Sequence, residues 1–155
     1  MPNLHIIIGD ANTRKSSLLR CLSGVGSGNA SRYIQVAEAS GSVITVFCML
    51  SALQENYKPK LPAEFVAYIK ALNPKPTDVA ITLRVSATGH CPSFGAYLQA
   101  FANACWPVAN VALLGASACA QHASIAAGNV SSVPQSMNQP TNLTASQVRK
   151  VWQWA

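Results

Sequence analysis

Apolar residues fill Leu4 to Ile8 almost without interruption, the pattern of a strand buried on both faces and therefore placed near the centre of a sheet. A polar stretch follows. From Lys15 to Leu22 the apolar positions Leu18, Leu19, Cys21 and Leu22 then take up helical spacing and stop at Ser23-Gly24, a helix with a glycine exit. Gly24 to Ser31 reads as a flexible connection.

The runs Arg32–Ala37 and Val43–Leu50, separated by Glu38-Ala39-Ser40-Gly41-Ser42, predict an antiparallel hairpin. A Lys/Pro loop over Asn56–Pro62 leads into a helix with Phe65, Val66, Ile69 and Leu72 on one face, ended by Asn73-Pro74. Asp78–Val85 is expected as a strand, Ser93–Trp106 as an amphipathic helix with Phe94, Tyr97, Leu98, Phe101 and Cys105 on its apolar side, and Val108–Leu114 as the fifth strand.

Residues 128–143 are polar, contain Pro134 and Pro140, and predict a long surface loop. Residues 144–155 predict a C-terminal helix. Thr144 and Gln147 have capping-box spacing, Leu143 and Val148 can form a staple, and Trp152 and Trp154 divide into one core anchor and one exposed face. Strands alternating with helices imply a three-layer α/β fold: a mostly parallel sheet of about five strands with helices on both faces. A single domain over 1–155 is expected, since 155 residues bury roughly 70% of the unfolded chain's surface on folding.

Composition narrows the setting. The chain is 50% hydrophobic and 10% charged, which argues against disorder, yet its longest apolar stretch, Val108–Ala120, falls short of the roughly 20 residues a membrane span needs. Met1–Ile8 lacks the basic start of a signal peptide, so a cytoplasmic location is expected, without membrane partners. Cys21, Cys48, Cys91, Cys105 and Cys119 show no CxxC spacing and are expected as reduced thiols without zinc, and the scattered His5, His90 and His122 lack metal-ligand spacing. Five acids (Asp10, Glu38, Glu55, Glu64, Asp78) against eleven Lys and Arg leave a net charge of +6, which attracts polyanions.

The candidate chemistry lies between the first strand and the first helix. Gly9-Asp10-Ala11-Asn12-Thr13-Arg14-Lys15-Ser16 matches GxxxxGK[ST] at every fixed position except the second glycine, where Arg14 stands. A loop of this kind wraps backbone N–H groups around phosphate oxygens at a helix N-terminus. The phosphate-binding set is then Gly9, Asp10, Ala11, Asn12, Thr13, Arg14, Lys15, Ser16 and Ser17, with Lys15 reaching the β- and γ-phosphates and Ser16 holding Mg²⁺. Lys15 and Ser16 are the expected catalytic pair. Arg14 either crowds the phosphates or supplies a second cationic ligand in cis. The alternative is an ordinary strand-to-helix turn, capped by Asp10, Asn12 or Thr13, with Lys15 exposed.

By these residues the chain resembles the P-loop NTPase superfamily, and the hairpin after the first helix makes the GTPase-like branch the nearest likeness. The resemblance implies a P-loop NTPase-like fold, binding of ATP or GTP, and Mg²⁺ with a nucleoside triphosphate as cofactor. The metal-supporting Asp-x-x-Gly of that branch is absent, because Val43–Leu50 runs into Ser51-Ala52-Leu53-Gln54. The guanine-reading motif is also missing, since Leu114 is followed by Gly115-Ala116-Ser117-Ala118. Glu38, Glu55 and a water-mediated Ser51 are candidates to replace the lost aspartate, and Arg84 either faces the ligand crevice or reaches solvent from a strand end.

The leading expectation is a nucleotide-binding protein, as a slow or degenerate hydrolase or a switch. A small phosphotransferase, in which Thr88–Ser93 and Asn56–Pro62 close over an acceptor, is the second. The third is a non-catalytic module that binds an acidic protein or nucleic-acid phosphate.

Overall fold

A computed structural model describes residues 1–25, 31–55 and 59–155. Parts of the connection expected over Gly24–Ser31 and of the Lys/Pro loop therefore lie outside the described residues. The strands are β1 (Asn3–Gly9), β2 (Arg32–Ala37), β3 (Val43–Cys48), β4 (Asp78–Leu83), β5 (Val108–Leu114) and β6 (Asn129–Val133). The helices are α1 (Lys15–Ser23), α2 (Pro62–Ala71), α3 (Phe94–Asn103), the short α4 (Ala116–Cys119) and α5 (Thr141–Trp152), with a 3₁₀ turn at His122–Ser124.

The six strands form one sheet in the order β2-β3-β4-β1-β5-β6, in which only β2 runs antiparallel, paired to β3 as the hairpin pattern predicts. β1 is central because it is apolar on both faces. Leu4, Ile6 and Ile8 pack with Phe65 and Ile69 of α2 and Tyr97 and Phe101 of α3, whereas Ile7 packs on the other side with Leu18, Leu19 and Leu22 of α1 and Ala145, Val148 and Trp152 of α5. The result is a three-layer α/β architecture. Among the described residues no helix is long and apolar enough to cross a membrane.

Several boundaries differ from expectation, each for a physical reason. The sheet has six strands rather than five, because Asn129–Val133, expected within the polar loop 128–143, pairs in parallel with β5 from Asn110↔Asn129 to Leu114↔Val133. An edge strand needs to bury little, and β6 fully buries only Val133. The last helix starts at Thr141 after Pro140, so Thr144 is an interior residue, buried and bonded by Gln139 Nε2 at 2.7 Å, and Leu143 is exposed rather than stapled. Trp154 is buried like Trp152, since the chain beyond α5 folds back onto the hairpin turn and bridges Glu38. α3 ends earlier than expected, at Asn103, followed by Cys105 in left-handed backbone (φ 58°).

At the amino end of the parallel strands a chain of polar groups crosses four of them, buried at Asp78, His5 and Asn110 and ending on the exposed Asn129 of the edge strand. Asp78 is a pure acceptor when ionised, so His5 donates from Nε2 to its Oδ1 at 3.0 Å, leaving Nδ1 to accept from Asn110 Nδ2 at 2.9 Å. Asn129 Nδ2 in turn donates to Asn110 Oδ1 at 3.0 Å. Trp152 and Trp154 pack over the imidazole with ring centroids 5.6 and 5.1 Å away. Each polar side chain in this row satisfies the next, which is what permits the burial of Asp78, His5 and Asn110 inside the sheet.

Candidate functional site

Parallel strands of an α/β sheet deliver their carboxyl ends to one edge, where ligands gather. At that edge Gly9 ends β1 and Lys15 opens α1. Gly9 is required sterically, because a Cβ there would fall on Thr13 Oγ1 and lie 3.0 Å from the Leu114 carbonyl oxygen. The turn between them is tight: Asn12 (φ 63°) and Arg14 (φ 64°) both take left-handed backbone. Ala11 and Asn12 form its exposed tip.

Asp10 is the hinge of the loop. Its carbonyl oxygen accepts from Thr13 Oγ1 at 2.7 Å and from Lys15 Nζ at 2.8 Å. Its carboxylate accepts from Ser86 Oγ at 3.3 Å, beyond β4, and from Ser117 Oγ at 2.8 Å, beyond β5. The side chain thus ties the loop to the strand on either side and is not turned toward the loop's interior.

The helix that follows has no side-chain cap, and Arg14 occupies its N-cap in left-handed backbone. Leu18 N–H makes the first helical bond, to the Arg14 carbonyl at 2.9 Å. Helix geometry gives the N–H groups of Lys15, Ser16 and Ser17 no intrahelical acceptor. Ser16 is half-buried and Ser17 exposed. Lys15 is only 4% exposed. Both features depart from an ordinary capped turn with a solvated lysine. The Arg14 guanidinium leaves the loop and donates from Nη1 to the Gln139 carbonyl at 3.1 Å.

Burial lowers the Lys15 pKa below its usual 10.5; Glu55 opposes this, Arg84 adds to it, and Asp10 opposes it. The Glu55 carboxylate stands 3.8 Å from Lys15 Nζ and 3.3 Å from Arg84 Nε. Glu55 arrives by an indirect route. Because β4 lies between β3 and β1, the chain leaving β3 starts about 10 Å from the β1–α1 loop, two strand spacings away. It then follows β4, with Met49 N–H on the Ala80 carbonyl at 3.0 Å and Leu53 N–H on the Thr82 carbonyl at 3.2 Å. Buried Gln54 accepts from Arg84 N–H at 2.9 Å and donates to the Arg84 and Pro92 carbonyls, both at 3.2 Å, which fixes the end of β4 and Glu55 beside it.

Of the candidate acids, then, Glu55 reaches the site and Glu38 does not. Glu38 lies in the β2–β3 turn at the amino end of the parallel strands, as does Asp78. Glu64 accepts from Leu61 N–H at 2.9 Å at the start of α2. Arg84 turns to the Glu55 carboxylate at the same edge, with its side chain 23% exposed. Ser86, Ser117, Gln54 and Gln139 were missed in the sequence; the one available signal was that Ser86 and Ser117 each follow the end of a strand flanking β1.

Among the described residues no cluster of three His, Cys, Asp or Glu could hold a metal by itself. Mg²⁺ needs less than that, because it keeps several waters and takes one or two protein ligands alongside phosphate oxygens. Ser16 and one carboxylate reached through water would suffice. A cavity of about 460 Å³ lies elsewhere, against α3, and is lined by residues such as Phe94, Leu98, Trp106 and Ala126 with no charged group among them.

Searches of protein-family models, curated proteins and solved structures return no match to this chain.

Proposed function

We propose that the chain is a P-loop NTPase-like nucleotide-binding protein that holds the phosphates of ATP or GTP at residues 9–17. The observation that carries this reading is Lys15. A charged lysine buried at the first turn of a helix costs stability unless its charge is used, and here its ammonium folds back onto a loop carbonyl with Arg84 beside it. Phosphate oxygens would supply a fuller counter-charge than the loop carbonyl at 2.8 Å and the Glu55 carboxylate at 3.8 Å do together. The N–H groups of Lys15, Ser16 and Ser17, without an intrahelical acceptor at the start of α1, are donors that would suit an anion.

Mg²⁺ would accompany the nucleotide, held by phosphate oxygens and Ser16, and neutralise charge on the terminal phosphates. Turnover is proposed to be slow. The two carboxylates at this edge are already engaged, Asp10 with two serines and Glu55 with two cations, which leaves little metal or base support for a developing phosphoryl transition state. Five free thiols suit a reducing compartment.

Calorimetric titration with ATP, GTP and inorganic tripolyphosphate, with and without Mg²⁺, tests the reading. Lys15→Ala removes a charge-assisted contact and is expected to weaken binding by about tenfold or more while the fold persists. Unchanged affinity in Lys15→Ala, or no binding by the unaltered chain, would sink the assignment.

A further inference from the structure

We propose that Glu55 is an internal competitor for the phosphate position, a carboxylate that occupies the two cations of the site until a polyphosphate displaces it. The inference rests on the function proposed above and adds to it a device that sets affinity. The Glu55 carboxylate bridges Lys15 (3.8 Å) and Arg84 (3.3 Å), the pair of cations at the mouth of the loop. These residues lie 40 and 29 positions from it in the chain, so the bridge is created by the tertiary fold.

Three features suit a displaceable group. Glu55 is 33% exposed and follows a residue, Gln54, that is pinned by three hydrogen bonds, so its side chain can swing out while its backbone stays. The Lys15 ammonium makes its short contact to the Asp10 carbonyl at 2.8 Å, and this hydrogen bond need not break when the longer Glu55 contact does. Asp10, the other carboxylate nearby, is directed to Ser86 and Ser117 and acts on Lys15 only at longer range. A phosphate entering the loop would meet Glu55 as a like charge, and binding must then include the cost of separating Glu55 from both partners. Once displaced, the carboxylate faces solvent.

The test measures tripolyphosphate binding in the absence of divalent metal for the unaltered chain, Glu55→Gln, Glu38→Gln and the double variant Glu55→Gln/Arg84→Ala. Glu38→Gln removes the same charge at the opposite end of the sheet. Glu55→Gln is expected to bind about tenfold more tightly, the worth of one charge-assisted contact no longer sacrificed. Glu38→Gln should stay within about twofold, since charges beyond a Debye length are screened. Removing Arg84 as well should abolish most of the gain. If Glu55→Gln binds no more tightly while Lys15→Ala still weakens binding by about tenfold or more, the competitor role is overturned and the phosphate loop stands. If neither the unaltered chain nor Glu55→Gln binds tripolyphosphate, both fall.

Discussion

Arg14 Nη1 donates to the carbonyl oxygen of Gln139 at 3.1 Å, which joins the candidate phosphate loop to the segment that leads into α5. Gln139 is itself held by α5, its Nε2 donating to Thr144 Oγ1 at 2.7 Å and Gln147 Oε1 at 3.0 Å. The arginine side chain is therefore directed away from the loop, while its backbone keeps the left-handed conformation that the glycine of the usual motif would adopt without strain.

Arg14→Gly accordingly relieves a backbone cost of about 1–2 kcal/mol and loses one exposed hydrogen bond. The expected net effect in chemical denaturation is a gain of about 0.5 kcal/mol, after the entropy that glycine adds to the unfolded chain. Tripolyphosphate binding should not weaken. A tenfold loss in titration would instead make Arg14 a phosphate ligand.

Gly9→Ala is expected to do the opposite. Its Cβ would displace Thr13 Oγ1 from the Asp10 carbonyl and press on the Leu114 carbonyl, a backbone atom that cannot move without shifting β5. A loss of about 1–3 kcal/mol is expected from such overpacking, with phosphate affinity falling alongside it. Full stability in urea unfolding would show that the loop rearranges freely.

The polar row at the other end of the sheet predicts a pH dependence. Burial by itself would raise the Asp78 pKa, but hydrogen bonds, first from His5 and then from Thr77 and Asn3, hold it below the usual 3.8. A carboxyl with a depressed folded-state pKa stabilises the fold above its unfolded value and loses that contribution as pH falls through the folded value. Asp78→Asn should therefore cost about 1–2 kcal/mol near pH 7, the difference between a charged and a neutral acceptor. That difference from the unaltered chain should shrink steadily once the pH drops below about 4. A difference independent of pH between 7 and 2 would contradict the charge assignment.

Thiol chemistry separates the five cysteines. Cys105 is exposed, Cys21 and Cys119 are half-buried, and Cys48 and Cys91 are buried; burial pushes the Cys48 thiol up to about 12. Only thiolate reacts, so a disulfide reagent at pH 8 should label Cys105 first and leave Cys48 untouched until the chain unfolds. Mass mapping that finds Cys48 modified in the native protein would argue against the core arrangement of β3.

The sequence by itself determined the features that depend on neighbours along the chain. An apolar run of the length of Leu4–Ile8 can be satisfied only by burial on both faces, and that fixed β1 at the centre of the sheet. Helical spacing after Lys15 and the exit at Gly24 fixed α1, and the residues between them defined the loop, because a strand-to-helix turn is local. The hairpin and the alternation of strands and helices were legible for the same reason. Strand order was not, since it depends on which distant faces pack together, and β4 stands between β3 and β1 by virtue of contacts no local pattern records. That order decides which groups surround Lys15: Glu55 and Arg84 approach across the end of β4, and Ser86 and Ser117 converge on Asp10 from the two flanking strands. β6 escaped notice because an edge strand buries too little to show alternation, and the start of α5 because Thr144 has its hydroxyl bonded to Gln139 rather than to its own helix. Local periodicity selects an element, and only the assembled sheet determines which charges meet at its edge.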